Sequence, residues 1–300
     1  MKILVTGGAG YIGSHACVEL IENGYEIIVA DNFANSSFKS IEGIKKITGG
    51  DFEFFKTDFR DENETEKIFA AHKFDCIIHF AGLKAVGESV AMPAAYYENN
   101  LNSVLNICKM MKKFNVPRII FSSSATVYRG DNIMPVNENA TLGASNPYGR
   151  SKFMCEQILR DISFAEKDFS VVLLRYFNPV GAHKSGIIGE NPRGVPNNLM
   201  PFIAQTAQKI HNEIKVFGND YDTVDGTGVR DYIHVTDLVR GHVNAIDYAV
   251  KNTGCEVFNL GTGRGISVLE MIRAFETVNE LKLPYAIAPR RAGDIAACFA

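Results

Sequence analysis

With 300 residues the chain can hold one large domain or two ordinary ones, and 46% apolar residues are ample for a core. A net charge of −3 argues against a nucleic-acid partner or a membrane surface, and no apolar run is long enough to span a bilayer. The six cysteines are scattered, with no C-x-x-C pair, so reduced thiols, a cytoplasmic setting and no metal site are expected; the N-terminus enters the first strand at once, with no signal-peptide pattern.

Residues 3–5 are a short apolar run that suits a buried parallel strand. Glycines follow at Gly7, Gly8, Gly10 and Gly13, satisfying both G-x-G-x-x-G and G-x-x-G-x-x-G. Such glycines allow a tight turn, a close backbone approach to a pyrophosphate and close packing of helix on strand. A helix is predicted over 11–22, its N-terminus offering free N–H groups and a positive dipole end to phosphates. Gly24 stops it, and residues 26–30 read as the second strand. Asp31 then stands where a carboxylate accepts from a ribose 2′-OH. Residues 32–37 contain no arginine to hold a 2′-phosphate, which favours NAD over NADP.

The alternation continues. Strands are predicted at 52–56, 76–80, 118–122 and 171–174, and helices at 62–71, 94–114 and 148–165. Strands alternating with helices give an α/β class with a doubly wound parallel (Rossmann) sheet. After Arg175 the chain becomes rich in proline and glycine, as loops over the carboxyl edge of such a sheet would be. A division follows: residues 1–177 as the NAD-binding domain and 178–300 mainly as a second, smaller α+β substrate domain. Strands at 231–235 and 256–260 are further candidates that return in part to the first domain.

Tyr148 and Lys152 are four apart on a predicted helix and so share a face. Tyrosine near its usual pKa of about 10 is a poor base at neutral pH, and a lysine beside it favours the phenolate. A nicotinamide's positive charge pushes the same way. Ser124, just past the fifth strand, can hydrogen-bond a reacting oxygen. A lone Y-x-x-x-K is more often a surface pair; with the cradle upstream and Ser124 in place, redox chemistry on an alcohol is the better reading.

The chain resembles the extended short-chain dehydrogenase/reductase superfamily and, within it, the UDP-glucose 4-epimerases closely. The resemblance runs from the first residue to the last, in stretches 5–15, 79–89, 122–128, 174–183, 196–201, 217–221, 226–235 and 288–294. It implies that Gly7, Gly10, Tyr11, Ile12, Gly13, Asp31, Asn32, Asn35, Ser36, Asp58, Phe59, Phe80, Ala81, Gly82, Lys84, Asn99 and Phe177 surround NAD, with Ser124, Tyr148 and Lys152. It implies equally that Asn178, Asn198, Leu199, Phe217, Arg230, Arg291 and Asp294 hold a UDP-sugar, with Lys84, Ser124 and Tyr148 beside it. Two arginines suit a diphosphate. Cys298 is expected to face the sugar, where a small residue leaves room for an N-acetyl group and a tyrosine does not. The implied reaction is transient oxidation at C4 of the sugar, a turn of the 4-keto sugar about its diphosphate link, and reduction from the other face. A homodimer through the helices near 94–114 and 148–165 is also implied.

Rivals can be weighed on residues. Dehydratases and decarboxylases of this superfamily place acidic residues just after the active-site serine or threonine; here Ala125 and Thr126 stand there. A non-catalytic NAD-binding sensor would usually lack the tyrosine or lysine. Two departures from the family pattern stand out: Arg129 between Tyr128 and Gly130, and an end at Ala300 where the family continues for several tens of residues, so that helices of the substrate domain are expected to be missing.

Overall fold

The computed structural model describes residues 1–291 and 294–300; positions 292 and 293 of the stretch 288–294 lie outside the described residues. In chain order the elements are β1 (Lys2–Thr6), α1 (Tyr11–Glu22), β2 (Glu26–Asp31), α2 (Phe38–Thr48), β3 (Glu53–Lys56), α3 (Glu62–Ala71), β4 (Cys76–His79), α4 (Val86–Ala91), α5 (Pro93–Phe114), β5 (Arg118–Ser124), α6 (Pro147–Ala165) and β6 (Ser170–Tyr176). There follow β7 (Asn178–Val180), α7 (Leu199–Ala207), β8 (Ile214–Phe217), β9 (Val229–His234), α8 (Val235–Lys251), β10 (Gly254–Leu260), β11 (Gly265–Ser267), α9 (Val268–Asn279), β12 (Tyr285–Ala288) and β13 (Ala297–Cys298).

Seven strands form one sheet in the order β10-β6-β5-β4-β1-β2-β3, parallel throughout. The chain winds outward in both directions from β1, so the order reverses between β1 and β4. The carboxyl ends of those two strands are where an open α/β sheet leaves its ligand crevice.

Burial on both faces explains why these strands read as unbroken apolar runs. Ile3 and Val5 point to the face covered by α1, α2 and α8, with Val29, Ile78, Ile120 and Val172. Leu4 points to the other, packing with Ile28, Ile77, Ile119, Phe121 and Leu173 under α3, α5 and α6. The period of two thus splits each strand between two cores.

Helix starts are set locally. Asp61 accepts from Glu64 N at the head of α3, and Asn146 accepts from Gly149 N at the head of α6, with Pro147 in the first turn. Ser267 and Glu270 form a capping box that starts α9.

Beyond β6 the chain builds a smaller sheet in which β9 pairs with β7, β11 and β13, and a two-stranded β8–β12 ribbon. Its core is Ile203, Ile214, Val216, Met271, Ile272 and Leu283. Of the two late strands, β10 joins the edge of the main sheet beside β6, whereas β9 belongs to the smaller one. Among the described residues no helix is long and apolar enough to cross a membrane.

Candidate active site

The turn after β1 needs glycine. Gly7 has φ +69°, and a Cβ there would stand 2.7 Å from the Ala81 amide nitrogen. A Cβ on Gly13 would meet the Gly7 carbonyl and lie 2.8 Å from Gly8 Cα. Gly10 is the N-cap of α1, and no side chain caps the helix, so the amides of its first turn, around Tyr11 and Ile12, are left for an anion. The Tyr11 hydroxyl donates to the Gly181 carbonyl at 2.7 Å.

Asp31 ends β2 and is buried. Its carboxylate accepts from Ala9 N at 3.1 Å, Phe33 N at 2.8 Å and Ser36 Oγ at 2.8 Å, which fixes it at the rim of the cradle. Asn32 donates to Asp58 at 3.3 Å, and Asp58 pairs with Arg60 at 2.7 Å. Phe59 is buried next to it, and Phe80 rests on the His242 ring at 4.9 Å. Ala81 N reaches Thr6 Oγ1 at 3.4 Å, and Leu83 N reaches Asn100 Oδ1 at 2.8 Å, with Asn99 donating to the same oxygen at 3.0 Å. Phe177 closes the far side, buried, its amide held by Leu260 O. A close glycine turn, an uncapped helix N-terminus and a fixed carboxylate one strand away fit a dinucleotide.

β5 and the start of α6 bring Ser124, Tyr148 and Lys152 together beside this cradle. Lys152 is 5% exposed. It donates from Nζ to the Ser122 carbonyl at 2.7 Å and lies over the Phe121 ring at 4.8 Å. Burial pushes its ammonium down to about 8, partly countered by Cys155 and Glu156. Gly82 completes the contact: a Cβ there would sit 3.7 Å from Lys152 Nζ. Ser124 Oγ accepts from Thr126 N at 3.2 Å and Thr126 Oγ1 at 2.9 Å, which leaves its own proton to donate outward. Tyr148 is half-buried; burial raises its phenol pKa, while the hydrogen bond with Ser124 lowers it.

The smaller sheet supplies the facing wall. Asp294 joins two arginines, its Oδ1 2.6 Å from Arg230 Nη2 and its Oδ2 3.4 Å from Arg291 Nε. The Arg291 guanidinium lies over Phe217, at the end of β8, at 4.7 Å. Cys298 on β13 is in register with Arg230 on β9 and packs on the cluster of Ala125, Tyr128, Val136 and Phe177. Asn178 is exposed on β7, opposite Tyr232 of β9. Asn198 and Leu199 start α7, and Asn198 reaches Lys84 only through Glu190, a residue the sequence reading passed over.

Other residues also escaped that reading. Glu156 and Arg175 form a fully buried pair at 2.7 Å; Glu156 takes a hydrogen bond from Ser123 Oγ at 2.5 Å, and Arg175 donates to the Tyr128 hydroxyl at 3.0 Å. This network is tied to β5 through Ser123, the residue before Ser124. Glu156 stands four residues after Lys152, a spacing that could have flagged it. Arg193 donates to the Ser36 carbonyl at 2.8 Å: residues 32–37 hold no arginine, yet one arrives from far along the chain. Arg129 stays exposed and pairs with Asp131.

Comparison with known proteins agrees with this geometry. The model of the NAD dependent epimerase/dehydratase family matches residues 3–261. This chain belongs to that family. A UDP-glucose 4-epimerase of Bacillus subtilis is 57% identical over 300 residues, spanning 100% of this chain and 88% of the relative. The crystal structure of UDP-glucose 4-epimerase from Bifidobacterium longum in complex with NAD+ and UDP superposes with a TM-score of 0.97 at 54% identity, covering 100% of this chain and 90% of that one. The UDP-Glc/GlcNAc 4-epimerase of Campylobacter jejuni gives a TM-score of 0.85 at 39% identity, over 100% of this chain and 90% of its own.

Proposed function

We propose that the protein is an isomerase that inverts C4 of a UDP-hexose, interconverting UDP-glucose and UDP-galactose as a step of galactose metabolism. The observation that carries the reading is the meeting of Ser124, Tyr148 and Lys152 at the mouth of the glycine cradle, with Arg230 and Arg291 on the facing wall. High identity to UDP-glucose 4-epimerases over the full chain supports it.

NAD is the cofactor that fits: Gly7, Gly10 and Gly13 with the head of α1 would hold its pyrophosphate, Asp31 a ribose, and Gly82 and Lys152 its nicotinamide half. When bound, it supplies the acceptor and donor of the C4 hydride. The chain's own residues manage the proton and the orientation. Ser124, with both lone pairs engaged by Thr126, donates to the reacting oxygen. Tyr148 takes the proton of the 4-hydroxyl and later returns it. Lys152 keeps a positive charge near the phenolate in a dry setting, where it acts over a low dielectric. Arg230, Arg291 and Asn198 would grip the diphosphate, Asp294 and Phe217 the uridine end, and Leu199 the wall beside them. Asn178 and Cys298 would border the sugar, and the small Cys298 side chain admits N-acetylated UDP-hexoses too.

The division into residues 1–177 for NAD and mainly 178–300 for the UDP-sugar goes with this reading. Exposed apolar side chains on α5 and α6, Leu105, Met154 and Phe164, support pairing of two copies through those helices. Six free cysteines support a cytoplasmic setting.

The test is to incubate purified protein with UDP-galactose and no added NAD, and to follow UDP-glucose and NADH. Epimer formation without accumulating NADH is expected; continuing NADH production would point to an ordinary dehydrogenase.

A further inference from the structure

The segment between β7 and α7 is a strap that crosses back over the main domain. Ile188 is buried in the main core with Ile41 and Ile44 of α2, and Ile187 and Ile188 press so closely on Gly43 that a Cβ there would lie 3.2 and 2.8 Å from their methyls. From that anchor the strap runs past two parts of the dinucleotide cradle. The Arg193 guanidinium donates to the Ser36 carbonyl at 2.8 Å, and its amide lies 3.4 Å from Asn35 Oδ1. The Glu190 side chain is only 9% exposed; one of its oxygens takes Lys84 Nζ at 3.3 Å and Asn198 Nδ2 at 2.7 Å. Tyr11 of the helix head is tied to the root of the same strap through Gly181 O.

We propose that Arg193 and Glu190 are positioning residues of the cofactor site, forming a clasp that keeps NAD in place. Arg193 pins the loop 32–37 at Ser36, the partner of Asp31. Glu190 joins a residue of the cofactor side, Lys84, to one of the sugar-nucleotide side, Asn198. NAD leaves only when the strap lifts from both. A nucleotide that orders Asn198 therefore steadies Glu190, and through it the clasp. Dissociation of a cofactor held this way is slower with UDP bound. The physics is that of shared ordering: the second ligand meets a segment whose freedom is already spent.

This inference rests on NAD occupying the cradle, and the experiment separates the two. Holoenzyme, Arg193→Ala and Glu190→Gln are purified with their NAD content measured, and NAD release is followed by rapid desalting with and without UDP. Thermal unfolding of each is recorded alongside. Arg193 is exposed, so its removal is expected to leave the unfolding temperature near that of the wild type at equal NAD content. NAD release from Arg193→Ala is expected to be on the order of two- to tenfold faster, the worth of one net hydrogen bond. UDP is expected to slow release from the wild type and to lose most of that effect in Glu190→Gln. Wild-type release rates in both variants overturn the clasp while leaving the NAD reading intact. Absence of any UDP effect in the wild type overturns the role of Glu190. A wild-type protein that carries no NAD overturns both readings.

Discussion

Lys152→Met is expected to raise the stability of the protein while abolishing most of its turnover. Lys152 is 5% exposed, and burial moves its pKa from an ordinary 10.5 to about 8. That lowering corresponds to roughly 3 kcal/mol at about 1.4 kcal/mol per pH unit. Because the folded-state value is the lower one, both states carry the proton below pH 8, and the cost is present in full at pH 7. It fades only as pH rises from about 8 towards 10.5. Against it stands the hydrogen bond from Nζ to Ser122 O, 2.7 Å, which as a charged bond returns about 1.5–3 kcal/mol. A methionine of similar length removes the charge and keeps the packing on Phe121, so a net gain of about 1 kcal/mol or somewhat more is expected. For a chain of 300 residues that is roughly 1–3 °C in unfolding temperature. The assay is thermal unfolding at pH 7 of both proteins freed of NAD, since bound NAD would add its own stabilisation, beside turnover of UDP-galactose with NAD restored. An unfolding temperature several degrees below wild type would refute the reasoning, since it would mean that the buried ammonium contributes to the fold rather than burdening it.

Tyr148→Phe is expected to keep bound NAD and lose about 100- to 10,000-fold in turnover, the usual contribution of a general base; near-normal rates would name another residue as base. Acid should loosen the fold steeply: burial lowers His15 to about 4, His79 to about 3 and His242 to about 4. With folded values below the unfolded 6.5, their contribution is complete above that pH and is lost as pH falls, by about 2 kcal/mol for each at pH 5, and a urea midpoint equal at pH 7.5 and pH 5 would contradict this. Cys298→Tyr puts an aromatic ring against Ala125, Tyr128 and Phe177 and should end conversion of UDP-GalNAc while sparing UDP-galactose. If the unaltered protein leaves UDP-GalNAc untouched, the pocket reading of Cys298 is wrong.

The first half of the fold is legible because its strands are buried on both faces and its turns are marked by glycine. The helix over 11–22 and the helix over 62–71 coincide with α1 and α3 to the residue. The helices α2, α8 and α9 are amphipathic yet carry few marks in the sequence beyond Ser267 and Glu270, which spell a capping box at the head of α9. That β10 rather than β9 lies beside β6 has no local sign, since the pairing is fixed by how 254–260 packs over 170–176 from far along the chain. At the site, Tyr148 and Lys152 are legible from spacing on one helix. Arg193 is not, because its approach to Ser36 depends on the path of a loop whose residues look like any proline-glycine connection.

The two sides of the cleft are held by different physics, and inversion at C4 asks for that difference. On the side proposed for proton transfer the groups are tied down: Lys152 donates to Ser122 O, and Ser123 donates to a carboxylate that is itself held by Arg175. A displacement of the reacting groups by about 1 Å costs on the order of a hundredfold in rate, so this rigidity protects the chemistry. On the facing side the holding groups sit at the periphery. Asp294 aligns Arg230 and Arg291 where a diphosphate would lie, while Asn178 is exposed and Cys298 is small. A sugar anchored by its diphosphate and touched by few large side chains can turn over between proton removal and proton return. One bulky residue at position 298 would fill the room that an N-acetyl group needs and still leave an unsubstituted sugar free to turn, so substrate range should be decided there and turnover at Tyr148.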